Sequence, residues 1–179
     1  MTGRRVVLLR AVNVGGAKLP MAGLRELAEE LGATQVSTHI ASGNLLCVPP
    51  GDPAEFDRAL ERGVEQRFGF FREAISRTAD ELQQALDDHP FEVVEPRSSH
   101  IVFLLDRPDP DAVARAEEVD TGPELWRVVG RQLHIRYADG AGRSHPGLTR
   151  AARLLTTPGT ARNLNTVTTL VRLCRAAPA

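Results

Sequence analysis

From Val6 to Val48 the chain passes through a short apolar run, a glycine loop, an amphipathic helix, a strand, a tight turn and a return strand. That β-α-β-β order leaves few ways to fold. Val6-Val7-Leu8-Leu9 is apolar at every position, the pattern of a strand buried on both faces rather than one. Arg10 ends the run, and Asn13-Val14-Gly15-Gly16-Ala17-Lys18 follows as a loop. Pro20 suits the first turn of a helix, where its missing N–H costs nothing. Leu24, Leu27, Ala28 and Leu31 recur on one helical face, and Gly32 is the expected left-handed stop. The spacing predicts a second strand over residues 35–41, a hairpin dipeptide at Gly43-Asn44, and a return strand over 45–48 that Pro49-Pro50 stops.

A helix between two strands returns the chain to its starting edge, so these first two strands run the same way. The glycine loop and the hairpin turn therefore fall on one edge of the sheet. That edge collects Arg10, Asn13, the Gly15-Gly16 backbone, Lys18, Ser42, Gly43 and Asn44, and Lys18 is the chain's only lysine. Open N–H groups in a glycine loop, a helix N-terminus and two cations favour an anion. Gly15-Gly16 matches neither the dinucleotide fingerprint nor the Walker loop, and tight turns use glycine for positive φ without any ligand. His39, near the same edge, is the one candidate for moving a proton; no partnered base accompanies it.

Further along, Asp52-Pro53 opens a helix that Gly69 closes, and residues 70–76 read as a fourth strand. Thr78-Ala79-Asp80-Glu81 is a capping box ahead of a short helix. Residues 91–99 are a proline-containing linker, after which the pattern restarts. Ile101 to Leu105 is a second continuous apolar strand, Asp109-Pro110 opens a helix, and Gly130-Arg131 joins two further strands. Helices over 146–155 and 162–175 finish the chain. We therefore expect an α+β fold of two tandem ferredoxin-like (β-α-β-β-α) units, with antiparallel sheets and helices on one face, divided as 1–97 and 98–179. Thr156 to Thr166 reads as a polar loop at a helix N-terminus, which offers Arg162, Asn163 and Asn165 as additional anion contacts or as ordinary caps.

The remaining composition mostly excludes. A net charge of −1 gives no general attraction to nucleic acid, and six of the eight aromatic residues are phenylalanines, four of them at core-like positions in 56–71. Cys47 and Cys174 are too few for a disulfide framework and lack metal-ligand spacing. No apolar run approaches the roughly 18 residues that span a bilayer, and no secretory leader pattern is present. Nothing indicates a cofactor or a metal. The cytoplasm is the expected location.

LLRAVNVGG, LPMAGLRELAEELG, HIASGNLL and TARNLNTVTTLVRL together resemble the bacterial family of domain of unknown function 1697. The resemblance implies two tandem ferredoxin-like units and no established activity, cofactor or catalytic residue. The family pattern Arg-Gly-Ile-Asn-Val-Gly-Gly reads Arg10-Ala11-Val12-Asn13-Val14-Gly15-Gly16 here, and aromatic residues usual in the family are replaced near His39-Ile40 and at Leu164. The expected function is binding of a small anionic or phosphorylated ligand at the glycine-loop edge. The alternatives are a phosphate-handling enzyme on the same edge and an RNA-binding module. A homodimer is compatible with apolar sheet faces that need a cover.

Overall fold

The computed structural model describes residues 3–176. The elements run β1 (Arg5–Leu9), α1 (Met21–Glu30), β2 (Thr34–His39), β3 (Asn44–Val48), α2 (Pro53–Phe68), β4 (Ala74–Thr78) and α3 (Ala79–Asp87). There follow β5 (Ser99–Leu104), α4 (Pro110–Glu117), β6 (Leu125–Val129), β7 (Gln132–Arg136), α5 (Pro146–Leu154), β8 (Gly159–Asn163) and α6 (Leu164–Arg175). Two four-stranded antiparallel sheets result, with orders β2-β3-β1-β4 and β6-β7-β5-β8. One compact unit takes the chain up to Gln83 and again from Thr168; the other is Gln84–Val167. The first unit thus stops before the 91–99 linker and recovers most of α6. The ends of the expected ranges, residues 1–2 and 177–179, lie outside the described residues.

In the first unit, β1 is central, as its unbroken apolar run requires. Val7 and Leu9 join Leu45 and Cys47 on the sheet face that packs against Leu24, Leu27 and Ala28 of α1 and Phe56, Leu60 and Val64 of α2. Val6, Leu8, Leu46 and Ile75 belong to the opposite face and are also buried within the single chain. In the second unit, Leu104, Leu133 and Ile135 pack against Ala116 of α4 and Leu148, Ala151 and Leu155 of the α5 segment. Asp52 and Asp109 cap α2 and α4 ahead of their first-turn prolines. The capping box forms in both directions, Glu81 N–H donating to Thr78 Oγ1 and Thr78 N–H to Glu81.

Two expectations need correction. The strand expected over 70–76 is Ala74–Thr78; before it, Arg72 stacks over the Phe70 ring and donates to the Ala11 and Phe71 carbonyls, holding the chain out of the ladder. The helix expected from Arg162 starts at Leu164, because Gly159–Asn163 is a strand pairing with β5. Its sequence, Gly-Thr-Ala-Arg-Asn, has almost no apolar alternation to announce it. With β8 present, both halves follow β-α-β-β-α-β and end in a further helix. Arg77 opposite Val6 and Arg162 opposite Ile101 hold equivalent registers, and each is followed by a cap, Thr78 or Asn163, for the next helix.

The edge strand β4 is sealed by α2. Asp57, four residues before Glu61 on one helical face, accepts from Ser76 N–H at 3.1 Å and Ser76 Oγ at 2.5 Å. Glu61 accepts from Ala74 N–H at 2.9 Å and pairs with Arg58 at 2.8 Å. The edge N–H groups that would template another strand are thereby occupied. Burial drives the Asp57 carboxyl up to about 6, against the hydrogen bonds from Ser76. At the other edge, β2 is broken between Thr34 and Ser37 by a bulge, with Gln35 at φ 52°. Arg4 spans the gap, donating to Ser37 Oγ and to the Leu173 carbonyl near the end of α6. Replacing Glu61 with Leu strands the Ala74 N–H, and we expect a loss of about 1–3 kcal/mol in urea denaturation at pH 7; unchanged stability would refute the sealing role.

Candidate functional site

The glycine loop leaves β1 at Leu9 and re-enters regular structure at α1. It is built on left-handed residues: Ala11 (φ 47°), Asn13 (φ 56°), Gly15 (φ 60°) and Gly16 (φ 91°). Asn13 organises it. Its Nδ2 donates to the Leu19 carbonyl at 3.1 Å and to the Ala41 carbonyl at 2.6 Å, while its Oδ1 accepts from Leu19 N–H at 2.9 Å. The Asn13 N–H itself donates to Ala17 O at 2.7 Å. One side chain thus closes the loop and ties it to the turn between β2 and β3.

That turn carries two more left-handed residues, Ile40 (φ 50°) and Gly43 (φ 75°). Gly43 is required there, since a Cβ would come within 2.5 Å of Val12 Cγ2. Its carbonyl accepts from Leu9 N–H, which joins the turn to the end of β1. Asn44 is fully buried and donates to the His39 carbonyl and to Ser42 Oγ. The two turns therefore meet on one edge, as the β-α-β-β geometry demands.

The predicted site residues divide into frame and rim. Asn13, Ser42, Gly43 and Asn44 are engaged in holding the turns. Arg10, Gly15, Gly16 and Lys18 are exposed, with Arg10 loosely paired to Glu73 at 3.5 Å. The Gly15 and Gly16 N–H groups meet no acceptor among the described residues. A cleft of about 420 Å³ opens beside them, lined by Asn13, Gly16, Ala17, Lys18, Leu19 and Pro20. His39 closes β2, half-buried. The C-terminal candidates lie in the second unit. Arg162 is buried in β8, donates to Thr160 Oγ1 and the Ala161 carbonyl, and burial draws its guanidinium down to about 10. Asn163 caps α6 by accepting from Thr166 N–H, and Asn165 is exposed on the first turn of that helix.

Sequence reasoning missed a histidine pair in the second unit. His89 and His134 place their Nδ1 atoms 3.2 Å apart, and His134 is completely buried on β7. The residues are far apart in sequence and fit no motif, so only the fold reveals them. One proton serves that contact, one ring donating and the other accepting. Burial, and then the neighbouring His89 charge, hold His134 down to about 4, with Asp88 opposing; burial also lowers His89. Both Nε2 atoms are buried without a hydrogen-bond partner among the described residues. No group of three or more metal-ligating side chains forms among those residues.

Two measurements test these arrangements. Ala11→Gly relieves a left-handed alanine and should raise stability by about 1 kcal/mol, whereas Asn13→Ala should lower it by about 2–3 kcal/mol through the lost hydrogen bonds; equal melting temperatures for both variants and the parent would sink this account of the loop. A histidine whose folded pKa lies below its unfolded value stabilises above the unfolded value, and that contribution is lost as pH falls through about 6.5 to 4. Asp57, with its folded pKa raised, opposes this in the same window. The His134→Phe variant should therefore lose less stability than the parent between pH 7 and 4; parallel curves would contradict the pair's assignment.

Among the described residues no helix is long and apolar enough to cross a membrane. Seven chains among solved structures match this fold. One is the structure of conserved bacterial protein SP0830 from Streptococcus pneumoniae, 20% identical, with a TM-score of 0.80 over 98% of this chain and 100% of that one. At that identity the likeness shows the fold alone. No curated protein matches. The model of the family described as Protein of unknown function (DUF1697) matches residues 1–134, which include the whole glycine-loop edge, and the chain belongs to that family.

Proposed function

We propose that this protein binds a small anion, a phosphate or carboxylate group, at the glycine-loop edge. The observation that carries this is the pair of exposed glycines, Gly15 and Gly16, whose N–H groups meet no acceptor among the described residues, on a loop that Asn13 braces and whose Gly16 and Lys18 line a cleft. Successive N–H groups of a turn form a concavity of positive partial charge, and Gly15 and Gly16 are the central residues of the turn closed by Ala17 N–H and the Val14 carbonyl; a nearby ammonium adds to it. Arg10 is exposed at the same edge, and its guanidinium meets both Glu73 carboxylate oxygens at 3.5 Å, an exposed pairing that an anion can displace at modest cost. Asn13, Ser42, Gly43 and Asn44 serve as the frame. Arg162 and Asn163 have structural work in the second unit, so the reading rests on residues of the first.

The same reading takes each unit as ferredoxin-like. The strand orders β2-β3-β1-β4 and β6-β7-β5-β8 support it, as do the helices packed on one face of each sheet. Buried free thiols at Cys47 and Cys174 are compatible with the reducing cytoplasm. Burial pushes the Cys47 thiol up to about 12, which leaves it inert.

Inorganic phosphate should raise the melting temperature at low salt. At 100 times its dissociation constant the gain is about 2.7 kcal/mol, or roughly 5–10 °C for a chain of this size. Lys18→Ala and Arg10→Ala should each weaken the effect while leaving the unliganded melting temperature within about 1–2 °C. A phosphate shift that persists undiminished in the double variant would remove the site.

A further inference from the structure

Two large apolar side chains stand exposed on either side of the hydrogen bond that joins the two turns. Val14 follows Asn13 and is 60% exposed; Ile40 precedes Ala41 and is 53% exposed. Asn13 Nδ2 lies 2.6 Å from the Ala41 carbonyl, so Val14 and Ile40 are the chain neighbours of two bonded residues, and Asn13 itself also lines the cleft that Lys18 borders. Ile40 is the more telling. At φ 50° a β-branched residue is a steric outlier, and asparagine or glycine would sit there with less strain. Neither burial nor backbone preference accounts for an isoleucine at this place.

We infer that the ligand of this edge is an amphiphilic small anion, an acidic group carrying an apolar aryl or alkyl body, with the acidic group at Gly15, Gly16 and Lys18 and the body against Val14 and Ile40. This rests on the anion-binding reading above and narrows its ligand class. The cleft of about 420 Å³ is lined by Gly16 and Lys18, where the acidic group would sit; Val14 and Ile40 are not in its lining and would meet the body outside it. Cations and loop N–H groups meet the charged end, and side chains that otherwise only expose apolar surface meet the other. A bare inorganic anion would leave Val14 and Ile40 without a role.

Calorimetric titration of the full chain with phenyl phosphate and with inorganic phosphate separates the two readings. We expect phenyl phosphate to bind about tenfold more tightly, the scale for burying part of an aromatic ring. In Ile40→Asn, which relieves the strained backbone and therefore should fold at least as well, that ratio should fall to about threefold or less; Val14→Ser should lower it similarly. Equal affinities in the parent would overturn the amphiphile assignment, leave the anion site standing and turn Val14 and Ile40 toward a macromolecular partner. A ratio unchanged in both variants would also overturn it. Binding of neither compound would remove the anion site itself.

Discussion

Complete burial of β1 from Val6 to Leu9 is the constraint from which the first unit follows. A strand with Val6, Val7, Leu8 and Leu9 all removed from water needs a hydrogen-bonded neighbour on each side and cover over both faces. β3 and β4 supply the neighbours, and α1 and α2 cover one face. The chain leaving the end of such a strand emerges directly at the sheet edge. It must turn sharply there to start α1, which is why left-handed residues gather at 11–16.

Polar groups are admitted to the interior where the backbone or a partner group needs them. Asp57 and Glu61 lose hydration but answer the exposed donors of β4, so their cost is offset by N–H groups that would otherwise be left open. Arg162 likewise spends its guanidinium on neighbouring β8 oxygens, and the lowered guanidinium pKa records its desolvation. The His89–His134 contact is the opposite case. It saturates one nitrogen of each ring and leaves the other bare, a contact that tolerates no second proton.

At the candidate site the division between frame and rim has a simple physical basis. An amide that spends its donors and its acceptor on backbone partners, as Asn13 does, fixes geometry and has little left for a ligand. Gly15, Gly16 and Lys18 are spared by that bracing.

The sequence by itself determined the central strands, the helix caps, the hairpins and the coming together of two turns on one edge. Each of these depends on local periodicity or on residues with special backbone behaviour, Gly43 free to take a positive φ and Pro53 and Pro110 fixed in φ, that act wherever the chain places them. Tertiary structure alone decided the rest. β8 is recognised only by pairing with β5, because Thr160-Ala161-Arg162-Asn163 has no strand periodicity of its own. The separation of Asn13 and Asn44 as braces from Gly15 and Lys18 as rim depends on which carbonyls lie within reach. The contact of His89 with His134 depends on two segments brought together by folding, and no local property of either residue encodes it.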